Sequence, residues 1–196
     1  PNGVDLDYFL PKDSRREPDT LVFSGKMSYH ANVTAALHLV NDIMPAIWAK
    51  RPQVKLTIVG KDPTPEVQAL ATKHAGNVNV TGSVPDMRDY LRKASIAVVP
   101  VVYGAGIQNK VLEAMACGTP VVTSDKTVRS LQPGYEHALR VAQSPQHFAE
   151  SVLQLLNDDA DRVQLGRAGR AYIELHHDWR AIVDRLACIY QAAAAP

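Results

Sequence analysis

Two cysteines in 196 residues, Cys117 and Cys188, cannot build a disulfide framework, and such scarcity suits a reducing compartment, the cytoplasm. Neither belongs to a CxxC pair, and the seven histidines show no HxxxH spacing, so no metal site is expected. Charge of one sign is also lacking. With 21 Lys and Arg against 20 Asp and Glu, the formal net charge is +1, which gives no electrostatic footprint for a nucleic acid or an anionic bilayer. The apolar run from Ile96 to Val102 is far too short to span a bilayer and contains Pro100. No initiator Met, signal peptide or targeting pattern opens the chain. It begins on the turn-forming Pro1-Asn2-Gly3, and the lead-in up to Thr20, mostly charged or polar from Lys12 on, is read as that of a fragment cut at an exposed linker.

What is present is the make-up of an ordinary globular protein, 46% hydrophobic and 21% charged. Strand-like and helix-like segments alternate along it. Leu21-Val22-Phe23 reads as a strand ending at Ser24-Gly25. A helix is expected from about Asn32 to Lys50, with Leu39, Ile43 and Ile47 on one face and Val40, Met44 and Trp48 beside them. Lys55 to Val59 forms the next strand, ending at Gly60, and Thr64-Pro65 supplies an N-cap and a first-turn proline. Val78 to Thr81 and the continuous apolar run Ile96 to Pro100 follow, separated by a helix that Asp86 caps. Beyond a Gly-rich loop over 103–109 come a helix to Ala116, a strand over Pro120 to Ser124, and a sixth strand over Ala138 to Ala142. Ser144-Pro145, Asp158 and Trp179 open the last three helices. Six strands alternating with helices define an α/β fold, a Rossmann-like doubly wound parallel sheet. Residues 1–20 are expected to be a linker and lead-in, 21–178 the ligand-binding domain, and 179–196 a C-terminal helix and tail.

Ligands of such sheets bind beyond the carboxyl ends of the strands. Gly25, Gly60 and Gly82 stand at three of those ends, where a missing side chain lets main chain approach a ligand. The same glycines would also serve plain tight turns. The fourth loop is richer: Gly104, Ala105, Gly106, Ile107, Gln108, Asn109 and Lys110 lead into a helix start, whose free N–H groups and dipole favour a phosphate. It matches neither GxGxxG, because Asn109 stands at the third glycine, nor GxxxxGK[ST]. Glu113 follows in an otherwise apolar helix, where a carboxylate needs a partner. It could find one in a salt bridge or at an exposed helix edge, or accept hydrogen bonds from two ribose hydroxyls.

The segment from Gly106 to Val122, with Ile107-Gln108-Asn109-Lys110 and Glu113-Ala114-Met115-Ala116-Cys117-Gly118-Thr119-Pro120, resembles the donor-site signature of glycosyltransferase family 4, the group 1 transferases of GT-B fold. Phe23-Ser24-Gly25-Lys26-Met27, Ile58-Val59-Gly60 and Val80 to Asp86 match in order, and Pro1 to Asp5 resembles the interdomain linker. The variant with Tyr29-His30-Ala31-Asn32 is most similar to bacterial transferases of exopolysaccharide and PEP-CTERM-associated loci. The resemblance implies a retaining, metal-independent hexosyltransferase without a cofactor, whose substrate is a UDP- or GDP-linked sugar. It implies a cytoplasmic enzyme, peripheral at the inner membrane in its full-length form, with the acceptor and any membrane contact held by an N-terminal half. Carried over by position, Glu113 holds the ribose, Lys26 and the loop from Gly106 to Lys110 hold the diphosphate, and Val84 lies by the nucleobase.

Two positions depart from the family pattern. A second Glu, eight residues before the ribose Glu, is replaced by Ala105, and a second basic residue is replaced by Ala31. Lys110 is expected to compensate for the lost charge, and the sugar is expected to meet main-chain groups, or His30 and Asn32. Two other functions remain compatible with these residues: one half of a GT-B sugar-nucleotide epimerase, or a non-catalytic nucleotide-binding module.

Overall fold

The computed structural model describes residues 2–12, 15–103 and 108–194. Its centre is a six-stranded sheet in which every adjacent pair is parallel. The strands are β1 (Glu17–Ser24), β2 (Lys55–Val59), β3 (Val78–Val80), β4 (Ala94–Val99), β5 (Val121–Ser124) and β6 (Arg140–Ala142), in the order β3-β2-β1-β4-β5-β6. The order reverses between β1 and β4, the switch point where open α/β sheets bind ligands.

Alternation along the strands explains the layering. Leu21, Phe23, Leu56, Ile58, Ile96, Val98 and Val122 face one apolar cluster, and Val22, Val59, Ala97, Val99 and Val121 face the other. A strand buried on both faces reads as continuous apolar sequence, as Ile96 to Val99 does. The first cluster is closed by α1 (His30–His38), α2 (Met44–Lys50), α3 (Pro65–Lys73) and α7 (Pro145–Asn157). The second is closed by α4 (Arg88–Lys93), α5 (Asn109–Ala116), the short α6 (Asp125–Val128) and α8 (Asp159–His176). The last helix, α9, spans Trp179–Ala194.

Several boundaries differ from the sequence reading, each for a physical reason. The helix expected from Asn32 to Lys50 starts at His30 and is divided into α1 and α2 by a π-helical turn over Leu39–Ile43. Pro45 lacks an N–H and its ring would strike the carbonyl of Asn41, so the ladder widens just before it. Strand β1 begins at Glu17, inside the polar lead-in, because its pairing with β4 already starts there, Glu17 opposite Ala94. Thr64 holds the N-cap position of α3 without a side-chain cap bond. Asp86 does not hold the N-cap position of α4, which falls to Met87 without a side-chain cap bond; Asp86 lies one residue earlier, its Oδ1 accepting from the Arg88 N–H at 2.9 Å. The two ends of the domain are tied together: the Val4 N–H donates to the His177 carbonyl at 2.8 Å, and Val4 bridges Asp178 in parallel.

Candidate functional site

The carboxyl ends of β1, β2 and β3 are laced by main-chain hydrogen bonds. Gly25 N–H donates to Val59 at 3.0 Å, Met27 N–H to Lys61 at 2.8 Å, and Gly60 N–H to the Gly82 carbonyl at 3.3 Å. This lacing needs glycine at two positions. Gly60 has φ +148°, and a Cβ there would lie 1.7 Å from the Gly25 carbonyl oxygen. At Gly25, φ +152°, a Cβ would lie 2.7 Å from Asn32 Nδ2 and 3.3 Å from Lys110 Cε. The missing side chain at Gly25 therefore opens the space through which Asn32 and Lys110 meet.

Lys110, in the first turn of α5, donates from Nζ to Asn32 Oδ1 at 2.8 Å and to Gln108 Oε1 at 3.2 Å. Buried Asn32 in turn donates from Nδ2 to the Lys26 carbonyl at 3.0 Å. The ammonium also stands 5.8 Å from the centre of the Phe23 ring. Burial pushes Lys110 down to about 8, against the pull of the Glu113 charge. Burial likewise raises Glu113 above the ordinary carboxylate range, against the pull of Lys110. One turn apart on α5, the two oppositely charged side chains are part-buried and make no direct ion pair. The Glu113 carboxylate receives no hydrogen bond from the described residues, so its acceptor capacity is uncommitted there. Gln108 is the N-cap of α5 and makes no side-chain cap bond; its carbonyl accepts from the Val111 N–H at 2.8 Å, and the positive dipole end of the helix lies beside Lys110.

The remaining residues singled out by sequence fall around this core. Lys26 is exposed beside Gly25. Val84, beyond β3, is partly buried against the second apolar cluster. Asn109 accepts from Asn2 Nδ2 at 2.8 Å, which ties the lead-in to the start of α5. Gly104, Ala105, Gly106 and Ile107 lie outside the described residues. His30 is committed to a neighbour that the sequence did not reveal: it stacks on Tyr103 with ring centres 5.4 Å apart, and its Nδ1 lies 3.0 Å from the Tyr103 hydroxyl. Thr34 Oγ1 shares that hydroxyl at 3.0 Å. The available signal was an aromatic residue at the start of the Gly-rich loop. Both polar ends of the Asn32 amide are engaged as well, so Asn32 positions Lys110.

Comparison with known proteins defines the class. A sequence model of the family described as Glycosyl transferases group 1 matches residues 18–158. The chain belongs to that family, and its sheet is that of the Rossmann-like half of GT-B glycosyltransferases. It is 27% identical over 206 residues to a phosphatidyl-myo-inositol mannosyltransferase of Mycobacterium tuberculosis, covering 99% of this chain and 53% of that protein. It is 29% identical over 213 residues to a GDP-mannose-dependent monoacylated alpha-(1-6)-phosphatidylinositol monomannoside mannosyltransferase of Corynebacterium glutamicum, covering 98% and 55%. Its fold matches that of Anabaena HepE, solved with UDP and glucose, at a TM-score of 0.78 and 15% identity, covering 99% of this chain and 56% of that one. The chain thus spans about half the length of the relatives it matches.

Proposed function

We propose that this chain is the donor-binding half of a retaining, metal-independent glycosyltransferase, moving a sugar from a nucleotide-sugar to an acceptor in bacterial polysaccharide or glycoconjugate synthesis. The observation that carries the reading is the part-buried Lys110 ammonium in the first turn of α5, held by Asn32 and Gln108 beyond the carboxyl ends of the strands, with the Glu113 carboxylate one turn further along the helix. A nucleoside diphosphate presents two features to recognise, a doubly charged phosphate pair and a vicinal ribose diol. Lys110, Lys26 and the first turn of α5 suit the phosphates. The Glu113 carboxylate, uncommitted to the described residues, suits the diol. Val84 offers an apolar wall to the base. Buried Ala31 sits where the family carries a cation, and the Lys110 ammonium is held by Asn32, the next residue along. That placement supports Lys110 as the replacement charge.

Chemically, the leaving group of a sugar transfer is the diphosphate, on which negative charge grows as the bond to the sugar breaks. Two ammonium groups and a helix dipole preorganised there stabilise that charge, the task a divalent cation performs in other designs. A sugar donor linked to a nucleotide agrees with the name of the GDP-mannose-dependent relative. The acceptor, and any contact with the inner membrane, falls to a further half of a longer protein, with both halves needed for transfer. No helix of the described residues is long and apolar enough to cross a membrane.

Thermal-shift titration with UDP, GDP and ADP and their sugars tests the reading. A ligand that binds only the folded state raises stability by about 2.7 kcal/mol at one hundred times its Kd. At least one diphosphate should raise the melting temperature in this way, and the chain alone should transfer no sugar. No shift with any of them, or transfer by this chain alone, would contradict the proposal.

A further inference from the structure

At the opposite, amino end of the sheet lies a cavity of about 640 Å³, between the lead-in to β1, the turn from α5 to β5, and one side of α8 from Asp159 to Glu174. Its size is that of a small-molecule site. Among its described lining residues seven are Lys or Arg and three are Asp or Glu, an excess of four positive charges there in a chain whose formal charge is +1. Four of the arginines are consumed by the fold, because three helices end here and their last carbonyls need donors. Arg16 donates to Leu91, Arg92, Ala94 and Cys117 carbonyls at 2.9–3.2 Å. Arg51 donates to the Leu156 carbonyl, Arg162 to that of Leu155, and Arg170 to that of Ala116. All three acids are consumed too: Asp19 pairs with Arg51, Asp159 with Arg162, and Glu174 with Arg170.

That assignment leaves Lys12, Arg15 and Arg167. All three are exposed around the cavity and have no ion-pair or hydrogen-bond partner among the described residues. Leu156, Val163, Pro120 and Ala171 supply apolar wall. We propose that this cavity is a second anion site, separate from the nucleotide end, and that it takes a small organic phosphate. Two guanidinium forks and an ammonium match the several oxygens and double charge of a phosphate ester. The apolar wall receives the carbon frame. The three cations line a concavity, which fits a small molecule better than a flat bilayer surface. The inference does not depend on the donor-site reading, since the two sites share no residue.

The test is calorimetric titration of the chain with fructose 1,6-bisphosphate, and with inorganic phosphate as the frameless comparison. Arg15→Ala/Arg167→Ala should weaken bisphosphate binding at least tenfold, and inorganic phosphate should bind more weakly than the bisphosphate. Lys110→Ala, at the other end of the sheet, should change bisphosphate binding less than twofold. Both arginines are exposed, so the double variant should keep the parent melting temperature, and Arg15→Lys/Arg167→Lys should retain part of the affinity. Three results would overturn the site: no bisphosphate binding at millimolar concentration, binding untouched by the double variant, or binding lost in Lys110→Ala. Cosedimentation with phosphatidylglycerol vesicles that the double variant abolishes, in a chain that binds no bisphosphate, would reassign these cations to a membrane face.

Discussion

At the amino end of the sheet, Arg16, Arg51, Arg162 and Arg170 all donate to main-chain carbonyls. At the carboxyl end, Lys110 rests on two side-chain amides, and Glu113 on nothing within hydrogen-bonding distance among the described residues. The contrast teaches how to separate structural charge from functional charge. A guanidinium that answers helix-terminal carbonyls completes the fold, because those acceptors would otherwise be buried unpaired. An ammonium beside a helix N-terminus answers no need of the fold, since the dipole there already carries the same sign. Its presence makes sense when an anion arrives. Substitutions at the two ends should therefore fail differently, one set in stability and the other in binding.

The largest effect is expected where the carboxyl-end lacing is tightest. Gly60→Ala places a methyl group against the Gly25 carbonyl, a main-chain clash that cannot relax by rotating a side chain. It should cost at least ~3 kcal/mol in urea denaturation and remove nucleotide binding with it. A Gly60→Ala protein of parent stability would contradict the close approach described. Next comes Arg16→Ala, at the amino end. It leaves several carbonyls without their donor, and a loss of about 2–3 kcal/mol in folding stability is expected, with nucleotide affinity of the folded protein unchanged. If nucleotide affinity fell and stability did not, the division between the two ends would be wrong.

Glu113→Gln belongs to the other class. Loss of two hydrogen bonds to a charged acceptor should weaken nucleotide binding by ~1.5–3 kcal/mol, with little change in stability. Calorimetry decides, and 2′,3′-dideoxynucleotides should bind the parent as poorly as ordinary nucleotides bind the variant. The smallest effect is one of pH. Lys110 titrates near 8 in the folded chain instead of at its ordinary 10.5, because burial disfavours the charge. Between those values the unfolded chain holds the extra proton, so ligand-free stability rises with pH, complete above about 10.5 and absent below about 8. A bound diphosphate favours charged Lys110, so its affinity should run the opposite way and fall as pH rises through about 8. The fall should be absent in Lys110→Ala; a parent protein whose affinity is flat from pH 7 to 9 would show that Lys110 does not meet the phosphates.

Much of this contrast was legible in the sequence at one end only. The strands β2, β4 and β5, the glycines at the strand ends and the Lys110-Glu113 spacing are local patterns, and local patterns survive in one dimension. Asn32 and Lys110 are 78 positions apart, so the link between them could not be read. The same holds for His30 and Tyr103, 73 apart. Arg16 was hidden more thoroughly, because a basic residue in a polar lead-in looks like solvated linker until the carbonyls it serves are folded around it. The π-helical turn before Pro45 was missed because the apolar spacing from Leu39 to Ile47 looks helical even where the hydrogen-bond ladder widens.

Titration of UDP and GDP, each beside its parent nucleoside, against the chain and its Lys110→Ala variant tests the central claim most directly. Removing Lys110 should weaken the diphosphates strongly and the nucleosides barely, and Ala31→Lys in the same chain should restore part of the loss. Equal losses for diphosphate and nucleoside, or no loss for either, would take Lys110 out of the phosphate site.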